Sequence, residues 1–254
     1  CFSLSAQKII DLSGKWSFSI DRQDNGEKEK WFSHTLNDCI NLPGSMPEKL
    51  KGDEVTAKTQ WTGSLYDSSY YYNPYMEKYR KEGNIKFPFF LTPDKHYVGA
   101  AWYQKEVNIP ADWKGERILL FLERPHIETT VWVNGQKTGM QNSLCVPHQY
   151  DITRYVRPGK CTITIRVDNR IKEINVGPDS HSITDQTQGN WNGIVGRICL
   201  QTTPKTYFDD IQIYPEPEQK LARVKVVIKG AGITKIKLSA ESFNTDKKHI
   251  VPAI

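Results

Sequence analysis

The feature that most constrains this chain is a recurrent alternation of apolar and polar residues in short runs, each stopped by a turn signal. Cys161-Thr-Ile-Thr-Ile-Arg-Val167 follows Pro158-Gly159 and puts Ile163, Ile165 and Val167 on one face, with Thr164 and Arg166 on the other. A period of two is the side-chain period of a β-strand. Glu128-Thr-Thr-Val-Trp-Val133 runs into Asn134-Gly135 and then the polar Gln136-Lys-Thr138. Asn-Gly accepts the positive φ angles of a type I′ turn, so this spacing predicts a hairpin. Arg117-Ile-Leu-Leu-Phe-Leu-Glu123 is apolar on both faces between Gly115 and Pro125, as a strand inside a sandwich would be. Residues 100–109, 194–203 and 206–214 read as further strands, and helix signals are confined to 73–82 and a single turn at 151–155. Strands at this density predict an all-β fold, a jelly-roll β-sandwich.

Two stretches break the pattern. Residues 21–90 are polar and irregular with a Tyr70–Tyr72 tract, and a loop region of that length is usually functional or packed over a site. Pro215-Glu-Pro-Glu-Gln-Lys220 has the composition of a rigid charged linker. Beyond it, 223–229 and 234–238 alternate like two strands, but the 34 residues from Leu221 to Ile254 are too few to close a sandwich core. The expected organisation is an export-signal remnant or anchor at 1–8, a jelly roll at 9–214, a linker at 215–220, and a second β domain cut short at 221–254.

Charge and cysteines narrow the function classes. The net charge of +5, from 34 Lys and Arg against 29 Asp and Glu, is scattered; a nucleic-acid surface needs a concentrated stripe. Apolar runs such as Ile118–Leu122 are too short to span a membrane as a helix. Of five cysteines none forms a C-x-x-C pair, so zinc has no support. Cys39, Cys145, Cys161 and Cys199 read as buried small apolar residues, with one disulfide among them left open. Cys1-Phe-Ser-Leu-Ser-Ala6 looks like the tail of an export signal; alternatively Cys1 is the lipid-bearing first residue of a bacterial lipoprotein, or the start is arbitrary. The first two readings expect an exported protein, periplasmic, outer-membrane-anchored or extracellular. No G-x-S-x-G elbow, H-E-x-x-H spacing, P-loop or G-x-G-x-x-G occurs. Paired carboxylates could hydrolyse a glycoside, but 29 acids offer too many pairs to choose among. The expectation is a chain with no catalytic residue, cofactor or metal of its own.

Three segments have the chemistry of a ligand surface: Gln60-Trp-Thr-Gly-Ser-Leu-Tyr66, Leu91-Thr-Pro-Asp-Lys-His-Tyr97 and Asp185-Gln-Thr-Gln-Gly-Asn-Trp-Asn-Gly193. A sugar offers hydroxyls that want hydrogen-bonding partners and a C–H face that stacks on aromatic rings; Asp, Asn, Gln, His and Trp on loops supply both. Against that, Trp102 and Trp132 sit within strands and read as core, His148 reads as a structural histidine, and Trp191 suits sandwich-edge packing as well as a site.

Six motifs occur in order: Asp11-Leu-Ser-Gly-Lys-Trp-Ser-Phe18, Leu42-Pro-Gly-Ser-Met46, Gly99-Ala-Ala-Trp-Tyr-Gln-Lys-Glu-Val-Asn-Ile-Pro110, Val131-Trp-Val-Asn-Gly135, Tyr150-Asp-Ile-Thr153 and Gly193-Ile-Val-Gly-Arg197. Together they resemble the amino-terminal sugar-binding domain of glycoside hydrolase family 2, the β-galactosidase and β-glucuronidase family, over about residues 9–214. The tail after Lys220 resembles the start of the family's immunoglobulin-like second domain.

The resemblance implies a retaining exo-β-glycosidase whose two catalytic glutamates sit on a carboxy-terminal TIM barrel of the same polypeptide, beyond this chain. It also implies that the loop before the Gly193-Ile194 strand projects an acid into the terminal-sugar subsite. In relatives that acid lies about six residues before the Gly, which here is Thr187; Asp185 stands two positions earlier and is the expected acid, flanked by Asn190 and Trp191. The loop before Gly99 carries Asp94 and His96 where β-galactosidases have an Asn, and the insert 61–90 is not shared with the best-known members. The expected partners are a terminal β-linked sugar and the catalytic domain. A free-standing carbohydrate-binding module and a purely structural prop for the barrel are the rival readings.

Overall fold

The computed structural model of the chain describes residues 8–63, 69–172, 180–230, 232, 235–242 and 249–251. The export reading at Cys1–Ala6 and the end of the Gln60–Tyr66 motif fall outside them. The chain divides into two compact units, with the break at Thr203/Pro204.

The first unit holds β1 (Ile9–Asp11), β2 (Gly14–Asp21), β3 (Asp38–Leu42), β4 (Gly44–Ser45), β5 (Asp53–Glu54), β6 (Lys95–His96), β7 (Ala100–Ile109), β8 (Arg117–Pro125), β9 (Glu128–Val133), β10 (Gln136–Asn142), β11 (His148–Asp151), β12 (Gly159–Asp168) and β13 (Gly193–Thr203). One sheet runs β10-β9-β12-β7-β2-β3. The other runs β1-β13-β8-β11, with β4 also on β13, while β5 and β6 form a small separate pair. All pairings are antiparallel. The result is the expected all-β jelly-roll sandwich. Its interior is apolar: Trp16, Phe18, Tyr103, Leu120, Leu122, Val131, Ile163, Ile165, Ile194 and Leu200 are essentially inaccessible. The alternation read from the sequence is the cause, since Ile165 of β12 lies opposite Tyr103 of β7 and Val131 of β9, and Ile163 opposite Val133 of β9. Asn134 (φ 50°) and Gly135 (φ 76°) make the β9–β10 turn, as the Asn-Gly spacing predicts.

The outer face of the six-stranded sheet is also covered. Trp102, Gln104, Trp132, Thr164 and Arg166 share that face through the register. The segment 31–36 lies over it, with Phe32 stacked on Trp132 at 5.2 Å and Trp31 at 6.1 Å from Trp102. Trp102 and Trp132 are therefore core residues, and part of the irregular 21–90 stretch is a cover for them. Arg166 is neutralised there by Asp24, Glu128 and Asp168, which a buried guanidinium requires. Burial alone would raise Asp168, but bonds from Arg170 and Lys172 and the charge of Arg166 outweigh it and hold its carboxyl well below the usual range. His148 is buried, with Nδ1 2.6 Å from Thr129 Oγ1 and Nε2 3.2 Å from the Ser143 carbonyl, a structural histidine.

Several local expectations are corrected. Within 73–82 the helix is a 3₁₀ helix at Pro74–Tyr79, and a four-residue α-helix at Ser69–Tyr72 precedes it. Cys161 and Cys199 are buried, but Cys39 and Cys145 are exposed, and all four are free thiols. On edge strand β3 the inward positions are Ile40 and Leu42, which turns Cys39 outward. Residues 215–220 are not a linker. In the second unit β14 (Tyr207–Glu216) and β15 (Leu221–Lys229) pair directly across them, Glu216 opposite Leu221. Pro217–Gln219 forms a 3₁₀ turn closed by Lys220 at φ 54°. A charged, proline-bearing composition suits an exposed hairpin turn as well as a linker. The unit also contains β16 (Ala240–Ser242) paired with β17 (His249–Val251). No helix among the described residues is long and apolar enough to cross a membrane.

Candidate functional site

At one end of the sandwich, the exit of β12, the entry to β7 and the loop before β13 are bolted together by asparagine side chains. Asn192 donates from Nδ2 to the Gly99 and Val167 carbonyls (2.9 and 3.0 Å) and accepts at Oδ1 from the Tyr103 hydroxyl (2.8 Å). Asn169 accepts from Gly99 N–H (2.8 Å) and donates to the Tyr97 carbonyl (2.8 Å). A carboxamide is the side chain able to satisfy both kinds of backbone group at once. Gly99 (φ 150°) passes so close to Tyr97 that a Cβ there would meet its hydroxyl at 2.6 Å. Gly193 (φ 146°) likewise runs against the Gly44 carbonyl.

Asp185 lies at the centre, 2% exposed. Its Oδ2 accepts from Thr62 N–H at 2.7 Å and is 3.2 Å from His96 Nε2. Its Oδ1 accepts from Asn190 N–H at 2.6 Å. Three donors explain how a carboxylate can be buried, and Oδ1 keeps one lone pair uncommitted. The Asp185 N–H returns a bond to the Thr62 carbonyl at 3.1 Å. Asn190, also buried, donates from Nδ2 to Thr62 Oγ1 (2.8 Å) and to the Asn169 carbonyl (3.0 Å). The structure thus brings Asp185, Asn190 and His96 together, inward-facing rather than spread over an exposed loop. Asp94 is exposed and makes no hydrogen bond or ion pair with the cluster among the described residues.

Trp191 points the other way. Half-buried, it stacks on His126 (centroids 4.6 Å apart, planes at 25°), and its carbonyl lies 2.8 Å from His126 Nδ1. Burial lowers His126 to about 4 despite that bond, so the ring is neutral. Since a carbonyl only accepts, Nδ1 carries the proton and Nε2 is an acceptor. Trp191 and His126 line a cleft of about 640 Å³ with Asn142, Ser143, Gln188 and Gly189. An aromatic face beside amide, hydroxyl and imidazole groups is chemistry suited to a sugar ring. Among the described residues, no cluster of His, Cys, Asp and Glu side chains could hold a metal ion.

Sequence reasoning missed Asn169, Asn192 and His126. Asn192 was visible only as a loop residue, and His126 only as the residue after a strand-ending proline. The signal for His126 is the strand register: it follows β8 opposite the entry to β13, where its N–H donates to the Gly193 carbonyl.

The model of the sugar binding domain of the glycosyl hydrolases family 2 matches residues 9–204. Human β-glucuronidase is 24% identical over 263 residues, which is 92% of this chain and 35% of that protein. A β-glucuronidase from Paenibacillus borealis is 27% identical over 82% of this chain and 31% of its own length. Among solved structures, an uncultured Clostridium β-glucuronidase matches 99% of this chain and 38% of its own, with TM-score 0.63 and 20% identity. The Ruminococcus gnavus β-glucuronidase in complex with D-glucuronic acid matches 89% and 34%, with TM-score 0.55 and 18% identity. At these identities the structures establish the fold. The chain spans about a third of the length of the relatives it matches.

Proposed function

The chain belongs to glycosyl hydrolase family 2 through its sugar-binding domain, and from that premise we propose that it is the non-catalytic amino-terminal part of a β-glucuronidase-like, retaining exo-β-glycosidase. In this reading the loop 185–192 contributes to the terminal-sugar subsite, and a catalytic domain carboxy-terminal to this chain in the same polypeptide supplies the two glutamates. The observation that carries it is the convergence of Asp185, Asn190 and His96 on one sandwich end, with Trp191 of the same loop lining an adjoining cleft. Asp185 Oδ1 and His126 Nε2 offer acceptors for sugar hydroxyls, Trp191 offers a ring face, and Asp94 supplies an exposed carboxylate on the neighbouring loop.

The test is to assay the polypeptide carrying this chain together with its carboxy-terminal domains on chromogenic β-glucuronides, β-galactosides and β-mannosides. Hydrolysis of one of them, strongest for the glucuronide, is expected, with none by residues 1–254 alone. Inactivity on all three, or turnover by this chain by itself, would overturn the reading. One observation favours a second reading, in which the domain only supports the catalytic one: the Asp185 side chain is 1% exposed and already holds three donors. Substitution of Asp185 separates the two.

A further inference from the structure

Two polar atoms beside Asp185 are buried and have no hydrogen-bond partner among the described residues: the indole Nε1–H of Trp61 and the Oδ1 of Asn190. The first can only donate and the second is an acceptor. Thr62 links the two residues: it follows Trp61 in the chain, and its Oγ1 accepts from Asn190 Nδ2.

Neither atom is free to turn away. The two hydrogens of Asn190 Nδ2 go to Thr62 Oγ1 and to the Asn169 carbonyl. Flipping the amide would set its oxygen against that carbonyl, an acceptor facing an acceptor, so the direction of Oδ1 is fixed by the network. The Trp61 ring is wedged edge-on between Phe87 (4.8 Å), Phe89 (4.9 Å) and His96 (4.6 Å). The backbone around it is tied to the 185–192 loop at both ends, by the Asp185–Thr62 exchange and by Phe90 N–H donating to the Gln186 carbonyl at 3.2 Å. A rigidly held donor and acceptor, both desolvated and unmatched, call for a partner. A hydroxyl group donates and accepts at once, and satisfies both.

We propose that Trp61 and Asn190 form the receiving pair for one hydroxyl of the bound sugar, which accepts from the indole N–H and donates to the amide oxygen. Trp61 is then a specificity-determining residue, supplied by the 61–90 insert and not by the loop that carries Asp185. The proposal rests on the sugar-site reading above, because a hydroxyl-bearing ligand must reach this end of the sandwich. A site built to bond a hydroxyl discriminates against the analogue that lacks it, since the buried pair is left unmatched.

The experiment is a nuclear magnetic resonance titration of the 254-residue chain with methyl β-D-glucuronide and its monodeoxy analogues. It follows the indole N–H signals and the amides of 185–192, with the Trp61 signal identified by its loss in Trp61→Phe. That substitution keeps an aromatic ring in the wedge and removes the donor along with part of the indole's volume. The Trp61 indole and loop signals are expected to move with one midpoint. One deoxy analogue should bind about five-fold more weakly than the parent sugar, the scale of one neutral hydrogen bond, and Trp61→Phe should erase that difference. If the loop signals shift while the Trp61 signal stays, or Trp61→Phe keeps the full preference, the pair is overturned and the sugar site stands. If no signal moves up to the solubility limit of the sugar, the pair is overturned, while the sugar-site reading is judged by the assay of the polypeptide with its carboxy-terminal domains.

Discussion

Between the sheets, Trp16, Tyr103, Leu120, Ile163 and Ile165 are inaccessible and touch mostly other apolar side chains. At the loop end, Asp185, Asn190, Asn192 and Asn169 are nearly as dry, yet each is surrounded by donors and acceptors. The interior tolerates rearrangement as long as volume is kept, because dispersion and the hydrophobic effect have little direction. The loop end does not, because each of its bonds has a defined length and angle and a lost partner leaves a desolvated group behind. The first region sets the fold and the second sets where the 185–192 loop stands.

The contrast is broken most severely in the interior. Trp16→Ala removes a ring of 0% exposure whose Nε1–H also bonds the Leu12 carbonyl, and should cost about 3–5 kcal/mol of global stability, read from chemical denaturation. A loss below about 1 kcal/mol would mean the two sheets are not held by this core. Acid probes the cleft wall: His126 titrates at about 4 in the fold against about 6.5 unfolded. Below pH 6.5 the unfolded chain takes up the proton first, so stability falls as pH drops from about 6.5 to 4, by up to about 3 kcal/mol. Denaturation of the wild type and His126→Asn at several pH values should show a shallower decline in the variant; parallel curves would place a solvated imidazole there.

For Asp185→Ala in the polypeptide with its catalytic domain, kcat/KM on the preferred glycoside should fall by about 1.5–3 kcal/mol of transition-state stabilisation. Unchanged turnover with a lowered melting temperature would instead make the domain a prop. Tyr103→Phe tests the bolt that joins the two regions. It deletes the hydroxyl bonded to Asn192 Oδ1 and should cost about 1–2 kcal/mol, with faster hydrogen exchange at the Asn192 and Gly193 amides and little change in the sheets. Equal acceleration throughout the sandwich would show that core and loop end open as one.

What was legible in the sequence follows the same division. Ile163 and Thr164 announced their faces because a strand's period of two is imposed on every residue, and Asn134-Gly135 announced its turn because few residues adopt those angles. Asp185, Asn190, Trp191 and His96 were picked out as chemically suited, and the ordered motifs fixed the family. That Thr62 would hold Asp185, 123 positions away, had no local trace, since a hydrogen bond between distant loops leaves no periodicity. Nor did composition separate the exposed Cys39 from the buried Cys161; only the edge position of β3 does. The charged turn at 215–220 misled for a related reason, as the pairing of Glu216 with Leu221 is a fact about two strands and not about the residues between them.

The loop end is fastened mainly by carboxamides, hydroxyls and backbone groups, and these neither gain nor lose a proton across the range in which proteins live. Asn169 and Asn192 therefore keep the same grip in an acidic vesicle, a neutral lumen or an alkaline medium. The amide bolts are indifferent to acidity, so any pH response of the loop end must arise in its few ionisable groups, Asp185, His96 and His126.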